Sequence, residues 1–361
     1  MRPVYYLSAF IPVALALDFA GASAPLVFFT SALGVVPTAA LMSDATEQLA
    51  ARAGPGIGGL LNVTFGNAPE LIIAFFALID GLQEVVKASL VGSVLGNSLL
   101  VLGGSMLVGG LRRDRQRFNR TAAHAQAGML LLATAALILP AVFELIHGGA
   151  LPRVGVEEVH YRGDVEYISA GVAIVLILSY AAGLLFSLKT HRDMFNVAHD
   201  DSEADRSEAW PIRKSVIVLA IAGAAVGVMS EVLVGSIEDA SRQIGLSQFF
   251  VGVFIVGIVG NAAEHYVAIV VAAKNKMDLA VNIAIGSSAQ IALFVAPVLV
   301  LLSFAFGDFP MALVFNGYEL TGIVAAVLIA NFLASEGESN WFEGVQLLAL
   351  YAVLGLVFFF A

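Results

Sequence analysis

Long apolar runs separated by short polar stretches extend over this chain from one end to the other. Eight runs contain no Asp, Glu, Lys or Arg, and three more contain one interior acid each, namely Glu70, Glu231 and Glu264. A helix needs about 20 mostly apolar residues to cross the hydrocarbon core of a membrane, and these runs lack the alternating polarity of barrel strands. They predict eleven transmembrane helices, at residues 3–17, 19–43, 53–79, 88–111, 121–143, 167–188, 215–237, 243–273, 279–307, 320–335 and 344–361.

The composition supports an all-α integral membrane protein. Of the 361 residues, 59% are hydrophobic and 13% are charged, whereas a soluble protein carries about 25% charged residues. The chain has no cysteine, which excludes disulfides, thiolate metal ligands and cysteine nucleophiles. The net charge of −10 comes mostly from segment ends and loops. Since no basic recognition patch is present, we expect no nucleic-acid partner.

The basic residues predict the orientation in the membrane. Fourteen of the 18 Lys and Arg residues fall on the N-terminus and the even-numbered loops, and cytoplasmic segments carry this excess. The N-terminus and the loops at 111–120 and 189–214 are therefore expected in the cytoplasm, and an odd number of helices places the C-terminus outside. We expect the cell (plasma or inner) membrane.

One short motif occurs twice inside apolar segments. Residues 66–70 read Gly-Asn-Ala-Pro-Glu, and residues 260–264 read Gly-Asn-Ala-Ala-Glu. The pairs Gly92-Ser93 and Gly286-Ser287 each follow 22 residues after the glutamate, so both elements repeat at an offset of 194. A carboxylate inside an apolar segment indicates a functional site, and two at matching positions suggest one site formed by an internal repeat.

The repeat predicts the domain organisation. An extra N-terminal helix (1–18) precedes the first five-helix repeat (19–191), an acidic cytoplasmic linker (192–210) and the second five-helix repeat (211–361). Because five is odd, the second repeat enters the membrane inverted, as in secondary transporters whose substrate binds near the midplane. The acidic stretch 200–208 lacks the spacing of an EF-hand loop, so a solvated linker is favoured over a cation sensor.

The paired motifs present an all-oxygen ligand set. Asn67 and Glu70 share one helix face by i,i+3 spacing, and Asn261 and Glu264 do the same. These ligands suit a hard cation such as Ca²⁺. Without metal, two nearby carboxylates in a low dielectric cannot both stay ionised, so the pair can hold a divalent cation or protons. The alternative is a pair of buried acids satisfied by neighbouring helices.

Backbone chemistry adds to the motifs. The glycines Gly66 and Gly260 permit close helix approach or exposed carbonyl groups. Pro69 cannot donate a hydrogen bond to the carbonyl of Phe65. Ala263 stands at the equivalent position of the second repeat, where the helix must loosen, if it does, by another route.

Further polar residues are candidates for the ion pathway, and each has a simpler structural alternative. Small residues serve helix packing, a histidine can be a packed, hydrogen-bonded residue, and acids at helix ends are usually solvated. The candidates are Ser93, Asn97, Ser287, Gln290, His265, Glu231, Asp44 and Glu47.

With these features the sequence resembles the cation/proton exchangers, the Ca²⁺/H⁺ antiporter branch of the calcium/cation antiporter superfamily. The stretch Gly-Ser-Ser-Ala-Gln at 286–290 and the acidic linker add to the paired motifs. The resemblance implies eleven helices, with the third and eighth carrying the ion-binding Glu70 and Glu264. The Na⁺/Ca²⁺ exchanger branch typically has Gly-Thr-Ser-x-Pro-Glu. Asn67 and Asn261 stand where that threonine would be, which favours protons over sodium.

The sequence therefore predicts a secondary antiporter, not an enzyme, that exports cytoplasmic Ca²⁺ in exchange for protons by alternating access. We expect no cofactor, and as partners Ca²⁺, protons and the lipid bilayer; homo-oligomerisation stays open. The alternatives are a Na⁺/Ca²⁺ exchanger or another divalent cation/proton exchanger, a passive cation channel, and an intramembrane hydrolase. A hydrolase is disfavoured because no nucleophile has a plausible base beside it, and no Walker A lysine points to an ATP-driven pump.

Overall fold

The apolar runs form helices in the computed structural model, which describes residues 3–53, 55–155, 161, 163–191, 209–307 and 309–361. Within these residues, ten helices are long and apolar enough to cross a membrane, and a shorter apolar helix precedes them. The predicted all-α architecture of eleven helices is thereby confirmed. We label the helices α1 (Pro3–Phe19), α2 (Ala24–Ala53), α3 (Leu60–Ile79), α4 (Gln83–Gly110), α5 (Arg120–Ile146), α6 (Asp164–Thr190), α7 (Ile212–Ile244), α8 (Gln248–Ala273), α9 (Met277–Ser303), α10 (Gly317–Ala334) and α11 (Trp341–Phe359).

Polar caps begin several of these helices. Asn119 precedes α5 and accepts a hydrogen bond from the backbone N–H of Ala122. Capping boxes begin α10 (Asn316 with Glu319) and α11. Each cap satisfies backbone N–H groups that have no partner inside the helix, so a largely apolar chain still defines where its helices begin.

Among the described residues, stretches of π-helix interrupt three of the long helices and end a fourth, α6. They lie at Gly96–Val101 in α4, Phe186–Thr190 in α6, Val251–Val256 in α8 and Ile291–Val295 in α9. The stretches in α4 and α9 both begin a few residues after the Gly-Ser pairs of the repeat. Because π-helical turns often occur at functional sites, these positions direct attention to the same parts of both repeats.

Regular structure outside the helices is small. Strands β1 (Gln116–Arg117) and β2 (Glu338–Ser339) pair antiparallel, with Gln116 opposite Ser339. The acidic linker predicted at 192–210 lies outside the described residues except for Ala209 and Trp210. Nothing in the described residues therefore bears on its role.

An extended segment before α10 is buried. Residues 311–316 are at most 4% exposed and have no helical structure. Side chains satisfy its backbone: the Leu313 N–H donates to Ser169 Oγ at 2.9 Å, and Lys87 Nζ donates to the Val314 carbonyl at 3.0 Å. Irregular backbone within a membrane protein requires such partners. Lys87, predicted between two helices, is buried in the first turns of α4.

The chain divides into two compact units, and each combines residues from both sequence repeats. The first unit contains residues 1–76, 181–245 and 259–263. The second contains residues 77–180, 246–258 and 264–361. In the first unit, α2 packs along α7, where Gly34 faces the side chain of Met229. In the second unit, α4 packs against the π-helical stretch of α8 and α11 packs against α4.

Candidate cation-binding site

The first motif interrupts helix α3. One helical piece ends at Gly66, Asn67 forms a turn, and the next piece runs from Ala68 to Ile79. The Leu71 N–H donates to the Asn67 carbonyl at 3.1 Å and restarts the helical pattern. Pro69 accounts for the interruption because it has no N–H to offer to the preceding turn. The sequence predicted this loosening.

The interruption places Glu70 at a helix beginning. Its carboxylate lies in the first turn of the Ala68–Ile79 piece, where unpaired backbone N–H groups and the helix dipole favour negative charge. Glu70 is 8% exposed and Asn67 is 3% exposed. A buried amide at the interruption is therefore followed by a buried carboxylate in the first turn of the next helical piece.

The second motif lies in an unbroken helical piece, Gly257–Ala273. The irregularity comes just before it, in the π-helical stretch Val251–Val256. With Ala263 in place of proline, the helix is therefore unbroken at the motif itself. Asn261 is fully buried, whereas Glu264 is partly buried.

The two motifs come into contact through Glu70 and Gly260. A Cβ atom placed on Gly260 would lie 3.2 Å from Glu70 Cγ and 3.4 Å from its Oε1. The absence of a side chain at Gly260 lets the Glu70 carboxyl group approach the backbone of α8. Both residues belong to the first compact unit. Helices α3 and α8 therefore meet where the repeated motifs lie.

Asn97 and His265 form a buried pair in the second unit. His265 Nε2 and Asn97 Oδ1 are 3.1 Å apart, and the two residues are 8% and 0% exposed. Asn97 lies in the π-helical stretch of α4, and His265 directly follows Glu264. This contact agrees with the structural alternative for His265, that of a packed, hydrogen-bonded histidine. It also connects α4 to the residue next to the second glutamate.

The Gly-Ser pairs occupy different surroundings. A Cβ atom on Gly92 would lie 2.1 Å from the Val253 carbonyl oxygen, so α4 and α8 pack backbone to backbone there. The nearest atom to a Cβ on Gly286 would be Gln126 Nε2, at 3.4 Å. Ser93 and Ser287 are 3% and 5% exposed. Gly92 therefore serves helix packing, whereas Ser93 and Ser287 remain candidates for the ion pathway.

The remaining candidates divide by exposure. Asp44 accepts a hydrogen bond from the Tyr5 hydroxyl, so the N-terminal helix reaches this acid. Glu47 and Glu231 are exposed, and Gln290 is partly buried. Sequence reasoning missed Tyr5. Its polar hydroxyl within an apolar helix is the only local signal that could have indicated a partner.

A further polar contact joins α4 to α9. Ser98 Oγ and Ser288 Oγ lie 3.0 Å apart, and both residues are fully buried. Ser288 belongs to the repeated stretch, and Ser98 directly follows Asn97. A polar residue beside another polar residue in an apolar helix was the available signal for this contact.

The donor set fits a hard cation bound largely by neutral oxygens. Among the described residues, no group of three or more His, Asp or Glu side chains could hold a metal ion. A cation bound at the motifs would therefore need amide, hydroxyl or backbone carbonyl oxygens in addition to carboxylates. Ca²⁺ accepts such mixed ligands in flexible geometry. This cation would be cargo rather than a resident cofactor.

Ten long apolar helices among the described residues and an acid-amide motif at two repeated positions are the features of a cation transporter of the membrane. The chain belongs to the sodium/calcium exchanger family: residues 23–189 and 214–360 match the model described as "Sodium/calcium exchanger protein". A Ca²⁺/H⁺ antiporter of Aphanothece halophytica is 43% identical over 366 residues, which cover 98% of this chain and 95% of that protein. The Ca²⁺/H⁺ antiporter ChaA of Bacillus subtilis (strain 168) is 46% identical over 337 residues, 92% of each chain. The solved structure of native YfkE is 41% identical, has a TM-score of 0.83 and covers 100% of both chains.

Proposed function

We propose that this chain is a secondary transporter that exchanges Ca²⁺ for protons across a membrane. The similarity to two Ca²⁺/H⁺ antiporters over nearly the whole chain supports this function. The observation that carries the mechanism is the contact between Glu70 and Gly260, because it joins the two repeated motifs. Alternating access around a site between repeats is the general mechanism of such folds.

The cation ligands we propose are the carboxylates of Glu70 and Glu264 with the amide oxygens of Asn67 and Asn261. The backbone carbonyls of the motif glycines, Gly66 and Gly260, complete the set. Two carboxylates neutralise one divalent ion, which removes most of the cost of holding that ion away from water. Six to eight oxygens suit Ca²⁺. The burial of Glu70, Asn67 and Asn261 supports the assignment.

Protons compete for the same two carboxylates in this mechanism. A protonated carboxyl group carries no charge and binds Ca²⁺ poorly, so occupation by protons and by Ca²⁺ exclude each other. Because the site changes its access from one side of the membrane to the other with either Ca²⁺ or protons bound, the Ca²⁺ flux is coupled to the proton flux. In a cell membrane with an inward proton gradient, this exchange would drive Ca²⁺ export.

Transport into proteoliposomes under an imposed pH gradient tests this function. An acidic lumen should drive uptake of radioactive Ca²⁺, and a protonophore should abolish that uptake. Collapsing the gradient without changing the Ca²⁺ concentrations provides the control. Equal fluxes with and without the gradient would indicate a passive channel and would reject antiport.

Na⁺/Ca²⁺ exchange is the second candidate because the matching family model is described as a sodium/calcium exchanger protein. The amides of Asn67 and Asn261 argue for protons, as they replace the threonine hydroxyl of the sodium-coupled branch. A lumenal Na⁺ load without a pH difference separates the two. Ca²⁺ uptake driven by Na⁺ and insensitive to a protonophore would favour this candidate.

A further inference from the structure

A pocket of about 750 Å³ opens among the loop at 152–154, the beginning of α10 and the end of α11. All three segments belong to the second compact unit. None of the residues that line the pocket belongs to the repeated motifs, and the proposed transport mechanism does not use it. Its volume is in the range of small-molecule sites, about 300–1,000 Å³.

One end of the pocket offers hydrogen-bond donors and a positive charge. Arg153 is exposed and makes no hydrogen bond or ion pair with any residue that the structure describes. Gly317 and Tyr318 are the first two residues of α10, and their backbone N–H groups have no acceptor among the described residues. Free N–H groups at a helix beginning favour an anionic group such as phosphate.

Asn316, the cap residue of α10, adds a polar side chain to this end of the pocket. It lines the pocket and is 4% exposed, and its Oδ1 accepts a hydrogen bond from the Glu319 N–H at 2.9 Å. Its Nδ2 group makes no hydrogen bond with a described residue. This amide group therefore offers one more hydrogen-bond donor at the polar end of the pocket.

Two nearby carboxylates, those of Glu319 and Glu84, do not line the pocket. Glu84 Oε1 accepts a hydrogen bond from the Gly155 N–H at 2.8 Å. Glu319 Oε2 accepts from the Asn316 backbone N–H at 2.8 Å, and Glu319 is 2% exposed. This carboxylate is turned into the protein as part of the helix cap. The polar end of the pocket therefore keeps its donors and the charge of Arg153.

The other end of the pocket is apolar. Leu354, Val357 and Phe358 line it, and their i, i+3 and i+4 spacing places them on one face of α11. Val357 is 45% exposed. A small anion such as inorganic phosphate would leave this wall uncovered, whereas an acyl chain would cover it.

We propose that this pocket binds a membrane phospholipid, with the phosphate at Arg153 and the beginning of α10 and an acyl chain along α11. A pocket that is cationic at one end and apolar at the other matches the two parts of such a lipid. The proposal is independent of the transport mechanism.

Native mass spectrometry of the purified full chain, titrated with phosphatidylglycerol, tests the proposal. Arg153→Gln removes the charge and keeps the stem. Since hydrogen bonds to charged groups contribute about 1.5–3 kcal/mol, the dissociation constant of the first lipid should rise about tenfold or more. Arg242→Gln is the matched control, because that guanidinium is already paired with Glu238 at 2.6 Å.

Val357→Asp tests the apolar wall and should also weaken binding of the first phosphatidylglycerol molecule. A large excess of glycerol 3-phosphate should not displace this lipid from the unsubstituted chain. Thermal unfolding of each variant checks folding. Unchanged lipid binding by a folded Arg153→Gln variant would overturn the proposal. So would equal competition by glycerol 3-phosphate, which would indicate a phosphate site. If either variant lost an oligomeric state but still bound the lipid with unchanged affinity, the proposal would also be overturned, and the pocket would be assigned to contact with a second copy of the chain.

Discussion

The two repeats place a glutamate at equivalent positions with different backbone structures. In the first, Pro69 interrupts α3 at Asn67 and Glu70 lies in the first turn of a new helical piece. In the second, Ala263 lies in an unbroken helix, and a π-helical stretch at Val251–Val256 precedes it. The difference teaches that the repeat preserves the acid and amide residues, while the backbone irregularity lies at the motif in the first half and before the motif in the second.

The surroundings of the two motifs differ as well. In the second repeat, His265 follows the glutamate and contacts Asn97. The residues 194 positions away are Leu71 and Ile291, which are apolar. The hydrogen-bonded pair therefore exists on one side only. An exchanger with such unequal halves need not behave identically in its two access states.

The largest effect is expected from Glu70→Gln and Glu264→Gln, which test whether the two halves contribute equally. Removing one partner of a buried charge interaction costs about 3–5 kcal/mol, so Ca²⁺ transport should fall about 100-fold or more in either variant. Glu338→Gln is the control, since that acid forms an exposed ion pair with Arg115. Near-normal Ca²⁺ uptake by one variant would remove that glutamate from the site.

The second prediction compares Gly92→Ala with Gly286→Ala. A Cβ atom on Gly92 would lie 2.1 Å from a backbone oxygen of Val253, whereas one on Gly286 would meet the end of the flexible Gln126 side chain at 3.4 Å. Overpacking costs about 1–3 kcal/mol or more, so Gly92→Ala should lower the melting temperature and folded yield. Gly286→Ala should be nearly neutral. Equal melting temperatures for the two variants would contradict this packing.

The third prediction concerns Pro69 and Ala263, the residues at which the two motifs differ, each replaced by the other. Ala263→Pro should cost about 3 kcal/mol, because it removes a hydrogen bond inside an unbroken helix. Pro69→Ala should leave folding intact and lower transport about fivefold, the equivalent of one net hydrogen bond, by letting α3 close over Asn67. Melting temperature and initial uptake rate measure the two effects. A fully active Pro69→Ala variant would show that the interruption is not needed.

The smallest effect is expected at the Asn97–His265 pair. Asn97→Ile and His265→Leu introduce the residues of the other repeat. Each single change leaves a buried polar group without its partner and should cost about 1–3 kcal/mol of unfolding free energy. The double variant should lose less than the sum of the singles, with a coupling of at least about 0.5 kcal/mol. Strict additivity of the melting data would mean that the contact contributes nothing.

The helices and the paired motifs could be predicted from the sequence, because long apolar runs and acidic residues inside them are strong signals. Pro69 even predicted the interruption of α3. The π-helical stretches could not be predicted, since no single residue type specifies them. The Asn97–His265 contact joins residues 168 positions apart, and such pairing depends on how helices pack. Lys87 was misleading for a related reason: a charged residue between apolar runs suggests a loop, yet the Val314 carbonyl gives it a buried partner.

Counting the protons that Ca²⁺ displaces tests the shared site most directly. Calorimetric titration of Ca²⁺ into the purified chain, in buffers of different ionisation enthalpy, gives the number of protons released per ion bound. The account predicts proton release with each Ca²⁺ and an apparent affinity that rises with pH, because fewer protons then occupy the pair of carboxylates. The two protonation steps belong to the pair rather than to Glu70 or Glu264 alone. An affinity that stays constant from about pH 5.5 to 8.5, above the range in which a free glutamate titrates, with no proton release, would contradict it.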